Sequence, residues 1–381
     1  MKWYTVIFLF ILVFWFTNCN QKQKIGIPGV NPEQISINDK QGEKGLLSTF
    51  IDSTQYIKLE TKPECIIGRI DKIIIQRDKI YILHNGNSQI LVFNSSGKYL
   101  FGINSKGKGP GEYISIIDFD IDKSSNEILI CQSRNLMVFS ENGKFLKSHN
   151  FPFFAYNMHK MENFYFYSLG FDLPNVEKFN LYEIDRETFS LIRATFPTCI
   201  NTDQYITSNN NAFSSHHDEL WFHYGINDTI YSISKSKTLP IYSIHFGHNT
   251  TIDQVARTDN SHERITLMNS PDFLHGFSNL LFNERFVWFE YGYQGNNHFV
   301  LFDRKNRKTK DYLDLKNDFE NKSLKSPFYM DDNSLFFLVQ PYSFFEDIDS
   351  VPEKIKRKIG DMNLKIDDNP LILKAYFKSG Q

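Results

Sequence analysis

Residues 79–103, KIYILHNGNSQILVFNSSGKYLFGI, decide how the chain is read. Three apolar runs, each short enough to be a strand, are separated by the polar turns NGNS and SSGK. Runs rich in Ile, Val, Tyr and Phe, bounded by Gly, Asn and Ser, are the pattern of antiparallel strands joined by hairpins. Residues 127–149, EILICQSRNLMVFSENGKFLKSH, repeat the phrase, with Ser96-Gly97-Lys98 and Asn142-Gly143-Lys144 at equivalent turns. Each such turn needs a residue in the left-handed region to reverse the chain, and Gly supplies it without steric cost.

Looser copies follow. They run from Asn163 with a continuation from Phe179, from Glu219, from Arg285 and from Leu335, the last completed by Leu371–Phe377 (LILKAYF). Starts near 79, 127, 163, 219, 285 and 335 define six units with unequal gaps. Multi-strand repeats with a period of about 40 to 50 residues mark the blades of a propeller. The expected fold is therefore all-β, a six-bladed β-propeller of four-stranded antiparallel blades. Stacking twisted sheets around an axis buries their faces, and closing the ring leaves few free edges. Gln55–Glu60 (QYIKLE) precedes the first full unit and is the expected closing strand, paired in one blade with C-terminal residues. Residues 351–362 (VPEKIKRKIGDM) carry apolar side chains at Val351, Ile355 and Ile359, which predicts a short amphipathic helix before the last strand.

Composition agrees with this reading and narrows function. Aromatic residues make up 15%, with 36 Phe and 19 Tyr, as suits half-buried pleated surfaces. Basic and acidic residues number 42 and 44, a net charge of -2, so no basic field draws in nucleic acid. The short clusters Arg304–Lys310 and Lys354–Lys358 read as a solvated hairpin turn and a polar helix face.

At the N-terminus, Lys2 precedes an apolar run from Val6 to Phe16, the length of an export-signal core and short for a membrane span. Phe16-Thr17-Asn18-Cys19 resembles a lipobox, in which the Cys receives lipid; Phe16 and Asn18 depart from its usual Leu and small residue. The expected organisation is a signal peptide over 1–18, lipidated Cys19 with a flexible tether over 19–49, and the propeller over 50–381. Two or more acyl chains give stable anchoring, and the Gly/Pro-bearing tether would reach roughly 30 Å. Residues 20–24 (NQKQK) contain no acid, which points to a periplasm-facing anchor at the outer membrane of a bacterial envelope. Cys65, Cys131 and Cys199 are widely spaced and odd in number, neither a disulfide framework nor a zinc motif, and read as packed apolar residues.

Asn104–Ile114 (NSKGKGPGEYI), Gly225–Ile233 (GINDTIYSI) with Pro240–Gly247 (PIYSIHFG), and Leu59–Ile73 (LETKPECIIGRIDKI) resemble a family of bacterial six-bladed β-propeller lipoproteins related to the NHL-repeat class. The resemblance spans about Ile51 to Phe377 and implies the fold, the signal and the anchor, but no activity.

No constellation marks an enzyme. The GKGPGEY loop lacks the Gly-Lys-Ser/Thr ending of a phosphate loop and no helix pattern follows it, so it reads as an inter-blade connection in which Glu112 accepts hydrogen bonds. His216, His217, Asp218 and His223 are the densest group of possible metal ligands. Adjacent strand residues point to opposite faces, so no metal site and no cofactor is expected there. No G-x-S-x-G elbow occurs. The residues at the ends of the strands opening each unit, Asn85, Gln132, Tyr167, His223, Tyr291 and Gln340, are amides, aromatics and a histidine, with Lys108 and Glu112 beside them. They are expected to line a ligand face for a glycan, peptide or envelope-protein partner on a monomeric, non-enzymatic binding or scaffolding lipoprotein. The alternative is a propeller hydrolase or lyase acting on an exported sugar or lactone.

Overall fold

The computed structural model describes residues 31–37, 42–84, 86, 88–168, 179–197, 211–224, 228–235, 237–247, 255, 258, 260–271, 273–345 and 353–379. The expected leader, Cys19 and Cys199 lie outside these residues, while Cys65 and Cys131 are buried free thiols.

Six antiparallel sheets follow one another along the chain and form a propeller ring. Blade 1 runs Ile70–Gln76, Lys79–His84, Gln89–Asn94 and Tyr99–Ile103 from the axis outwards. The innermost strands of blades 2 to 6 are Asp118–Ile121, Asn157–Lys160, Phe213–His216, Leu274–Phe282 and Pro327–Met330. Each inner strand touches the next, and that of blade 6 touches that of blade 1, so the ring is closed. Ile51–Lys58 is the outer strand of blade 6 and pairs with the C-terminal strand Leu371–Phe377, Tyr56 opposite Leu373, joining the two ends of the chain in one sheet as the sequence predicts.

The core follows from the two-residue period of a strand. In Ile128–Gln132, Ile128 and Ile130 pack towards blade 1 with Tyr81 and Val92, whereas Leu129 and Cys131 pack towards blade 3 with Phe164 and Phe166. Six apolar clusters fill the six junctions in this way, the last formed by Phe336 and Ile372 of blade 6 against Ile80 and Ile82 of blade 1. Middle strands are therefore buried on both faces and read as unbroken apolar runs. At the junction of blades 4 and 5, Trp221 stacks on Phe282 at 3.6 Å between ring centroids.

Three features depart from the sequence reading. The phrase beginning at 79, 127, 163, 219, 285 and 335 is the second strand of each blade, not the first. The inner strands of blades 2, 3 and 4, DFDI, NMHK and FSSH, are short and mixed in polarity, so they lack the apolar run that marks their neighbours. The stretch read as tether holds two strands: Glu33–Ser36 and Glu43–Leu46 add in parallel to the outer edges of blades 4 and 5, burying Ile35, Ile37 and Leu47. A helix over Ser261–Met268, capped by Asn260 Oδ1 accepting from the His262 and Glu263 amides, was not anticipated. The helix expected over 351–362 is present as Glu353–Asp361.

Closure by the C-terminal strand sets an expectation. Leu373 is fully buried at the junction of blades 5 and 6. Leu373→Ala should destabilise the protein by about 3 kcal/mol in urea unfolding. Leu100→Ala, on an exposed outer strand, should cost under about 0.5 kcal/mol. Equal effects would show that the closing strand does not hold the ring.

Candidate functional site

Each inner strand starts, and each second strand ends, at one end of the ring, as the pairings Ile70 with His84, Asp118 with Cys131 and Asn157 with Tyr167 show. This end carries the connections between blades and is called here the loop end. The other, the hairpin end, carries the tight turns after each inner strand.

The axis is lined by groups that hold the blades together. Asp118 on blade 2 accepts from Lys72 of blade 1 at 2.8 Å and from the Met158 amide of blade 3 at 2.8 Å. Asp120 accepts from the Lys160 amide at 2.7 Å and lies 3.0 Å from His159 Nδ1. Desolvation works against the Asp120 carboxylate, but His159, Lys72 and the amide outweigh it and hold the group down at about 2. Asn157 accepts from the Ala212 amide of blade 4 at 3.3 Å, and Asn279 donates to the Pro327 carbonyl of blade 6 at 2.7 Å. An inner strand has one edge with no strand beside it, and its buried backbone groups need partners. Short acids and amides on the neighbouring strand supply them.

Between these strands, towards the hairpin end, lies a cavity of about 500 Å³ lined by residues of all six blades, among them Lys72, His159, His216, Phe282 and Tyr329. A larger depression of about 770 Å³ lies outside the ring, where the N-terminal segment crosses from blade 4 to blade 5 between Ile37 and Gly42. It sits away from the axis, and the chain linking those two residues lies outside the described residues.

The residues expected to line a ligand face that fall among the described residues belong to the loop end, but three of them are structural. Tyr167 is 3% exposed and meets Phe222 of blade 4 edge-on. His223 is 1% exposed, with Nε2 3.1 Å from the Asn211 carbonyl, and burial lowers its pKa to about 4. Tyr291 is 1% exposed and donates to Asp311 at 2.6 Å within a cluster completed by His298. These residues lie at or beside the loop ends of second strands and are buried between blades, which keeps them from meeting a ligand. Gln132 is half-buried and its side chain accepts weakly from the Ile114 amide at 3.4 Å, and Gln340 is half-buried, with its backbone carbonyl accepting from the Ser343 hydroxyl at 2.7 Å. Asn85 lies outside the described residues.

Lys108 and Glu112 are exposed in the connection from blade 1 to blade 2. The loop is self-contained: Glu112 accepts from the Gly109 amide at 2.8 Å, and buried Tyr113 donates to the Ile103 carbonyl at 2.9 Å. Gly111, at φ +82, lies against Phe145, where a side chain would collide. Its role as an inter-blade connection thus follows from its own hydrogen bonds.

Sequence reasoning missed where the exposed apolar side chains lie. Of the large hydrophobics exposed among the described residues, Leu46, Leu100, Leu146, Leu191, Ile192 and Leu313 sit on outer strands. The rest, Ile66, Ile114, Ile117, Tyr156, Ile265, Phe319, Tyr342 and Ile366, are all on loop-end connections, and none is at a hairpin-end turn. The signal in the sequence was an apolar residue inside a stretch otherwise read as loop.

A second grouping was also missed. His216 and His217 converge, with ring centroids 4.2 Å apart, because His217 is not on the strand but in the turn after it at φ +49. The alternation that argued against a shared ligand fails at that residue. Their partner is Asp332 of blade 6, and His223 lies at the opposite end of the ring.

A family model described as a domain of unknown function, DUF4934, matches residues 32–376. The chain belongs to the DUF4934 family. No curated protein matches the sequence. Among solved structures, a Bacteroides fragilis protein described as exported is similar with a TM-score of 0.75 at 19% identity, over 92% of this chain and all of its own. A member of the DUF4221 family from Bacteroides vulgatus matches 86% of this chain and 97% of its own at 10% identity, with a TM-score of 0.47. The likeness to the B. fragilis protein shows the shared fold.

Buried His223 makes acid sensitivity a test of this geometry. Its folded pKa of about 4 lies below the ordinary 6.5, so the unfolded chain takes up the proton first. Its contribution is complete above pH 6.5 and is lost as pH falls towards 4, about 3 kcal/mol in all. His223→Gln should flatten the stability profile in that window relative to the unaltered chain, measured by urea unfolding at successive pH values. An unchanged slope would show that His223 is not held neutral in the fold.

Proposed function

We propose that the protein is a non-enzymatic binding or scaffolding lipoprotein of the bacterial envelope, related to NHL-type propellers. Lipid on Cys19 anchors it at the periplasmic side of the outer membrane. Its leader supports the anchor, and the exported B. fragilis relative agrees with that compartment. The loop end is its partner face, and the observation that carries this is the gathering of exposed apolar side chains there.

Exposed apolar surface in a soluble domain marks interaction sites when it is contiguous or rimmed by polar groups. Here Ile66, Ile114 and Tyr156 come from the connections entering blades 1, 2 and 3, while Tyr342 and Ile366 come from the long connection inside blade 6. Lys108, Glu112, Gln132 and Gln340 supply the polar rim. A mixture of Ile and Tyr suits a peptide or an envelope protein better than a bare sugar, which pairs mainly with rings and amides. Meanwhile the acids nearest the axis, Asp118 and Asp120, are engaged in holding blades together rather than set as an acid-base pair.

Site-specific photo-crosslinking in the native envelope tests this reading. A benzophenone residue placed at Ile114 or Tyr156 should give a discrete adduct, and one at Arg77 or Glu141 in hairpin-end turns should not. Ile114→Asp with Tyr156→Asp should abolish the adduct seen from Ile66, while stability changes by less than about 1 kcal/mol. Adducts from the hairpin end alone would refute the assignment of the face.

A further inference from the structure

The geometry points to a divalent transition-metal site at the hairpin end of the channel, formed by His216 and His217 of blade 4 and Asp332 of blade 6. His216 Nε2 lies 2.7 Å and His217 Nε2 3.2 Å from Asp332 Oδ1, and the three donor atoms all lie within 4.8 Å of one another. Metal–ligand bonds of about 2.0 to 2.2 Å place neighbouring donors roughly 3.3 Å apart. The His217 distance already matches that spacing, and closing around an ion asks His216 to draw back from the carboxylate by about 0.6 Å.

A simple histidine–carboxylate pairing leaves one observation unexplained. His217 makes a hydrogen bond to Asp332, but His216 does not: its Nε2 is buried and without a hydrogen-bond partner despite the 2.7 Å separation. The His216 side chain is 10% exposed, and its ring edge meets Phe282. The close His216–Asp332 contact, with the second imidazole beside it, gathers three donors that an ion could join. The donors are also held in place. Asn283, 1% exposed on blade 5, donates to the Asp331 carbonyl at 3.0 Å and the Asp332 carbonyl at 3.4 Å, fixing the turn that carries the carboxylate.

Two imidazoles and one carboxylate favour zinc and its transition-metal neighbours over calcium or magnesium, which prefer oxygen ligands throughout. Three protein donors leave at least one position for water. An ion there would tie blade 4 to blade 6 across the mouth of the 500 Å³ cavity.

The test is titration of the untagged full chain, in detergent, with zinc by calorimetry and with cobalt by visible absorption. One equivalent should bind, with a cobalt spectrum of four- or five-coordinate type and a raised unfolding temperature that a chelator reverses. His217→Ala and Asp332→Asn, at positions 60% and 51% exposed and so safe for folding, should each weaken binding at least about tenfold. His217→Cys should retain cobalt and add an intense thiolate charge-transfer band. Zinc binding unchanged in the His217→Ala and Asp332→Asn variants, no binding at all, or equal binding of calcium would each overturn the proposal.

Discussion

The open edge of each inner strand is the constraint on which the ring depends. A propeller blade satisfies its backbone by pairing strands side by side, but the strand nearest the axis has no neighbour on its inner side. Unpaired buried amides and carbonyls would cost free energy comparable to lost hydrogen bonds. In this protein the remedy is lateral: Asp118 and Asp120 reach from blade 2 to the amides of Met158 and Lys160, Asn157 reaches the Ala212 amide, and Asn279 the Pro327 carbonyl. Lys72 then offsets the charge of Asp118 from the other side. The polarity of the inner strands is thus a requirement of closure, and it occupies the groups that would otherwise suggest catalysis.

The same requirement explains what could be read in the sequence. Second and third strands are sandwiched between blades, so Ile80–Leu83 and Ile90–Phe93 are buried throughout and announce themselves as apolar runs. Six such runs gave the blade number, and QYIKLE with LILKAYF gave the closure. Inner strands such as NMHK carry no such signal, because half of their surface faces a polar axis. Counting from the wrong strand placed Tyr167, His223 and Tyr291 beside a channel, when each is packed between blades. The short parallel strands Glu33–Ser36 and Glu43–Leu46 were invisible for a related reason: each borrows an edge already formed by another blade and buries few residues of its own.

The histidine pair shows a different limit. Strand alternation is a rule about residues within a strand, and one residue in the left-handed region ends its validity. His217 at φ +49 turns its ring back beside that of His216, and the partner acid comes from a hairpin 115 residues further along. Spacing in sequence carries no trace of that meeting. The GKGPGEY loop is the opposite case: these hydrogen bonds close within Ile103–Tyr113, so its glycines and Glu112 could be understood locally.

These contrasts divide the molecule into two ends with different physical tasks. Hairpin-end turns are short, and Asn283, Asp332 and His216 of three different blades meet there. Loop-end connections are longer and, among the described residues, carry every exposed large apolar side chain that is not on an outer strand. Their water-exposed Ile and Tyr lie outside the six apolar clusters that fill the junctions of the ring. Surface that a fold leaves apolar without structural need is best accounted for by something that covers it. On the proposed reading, the rigid ring holds connections from separate blades in one fixed arrangement, so that a partner would meet them together without first having to order them.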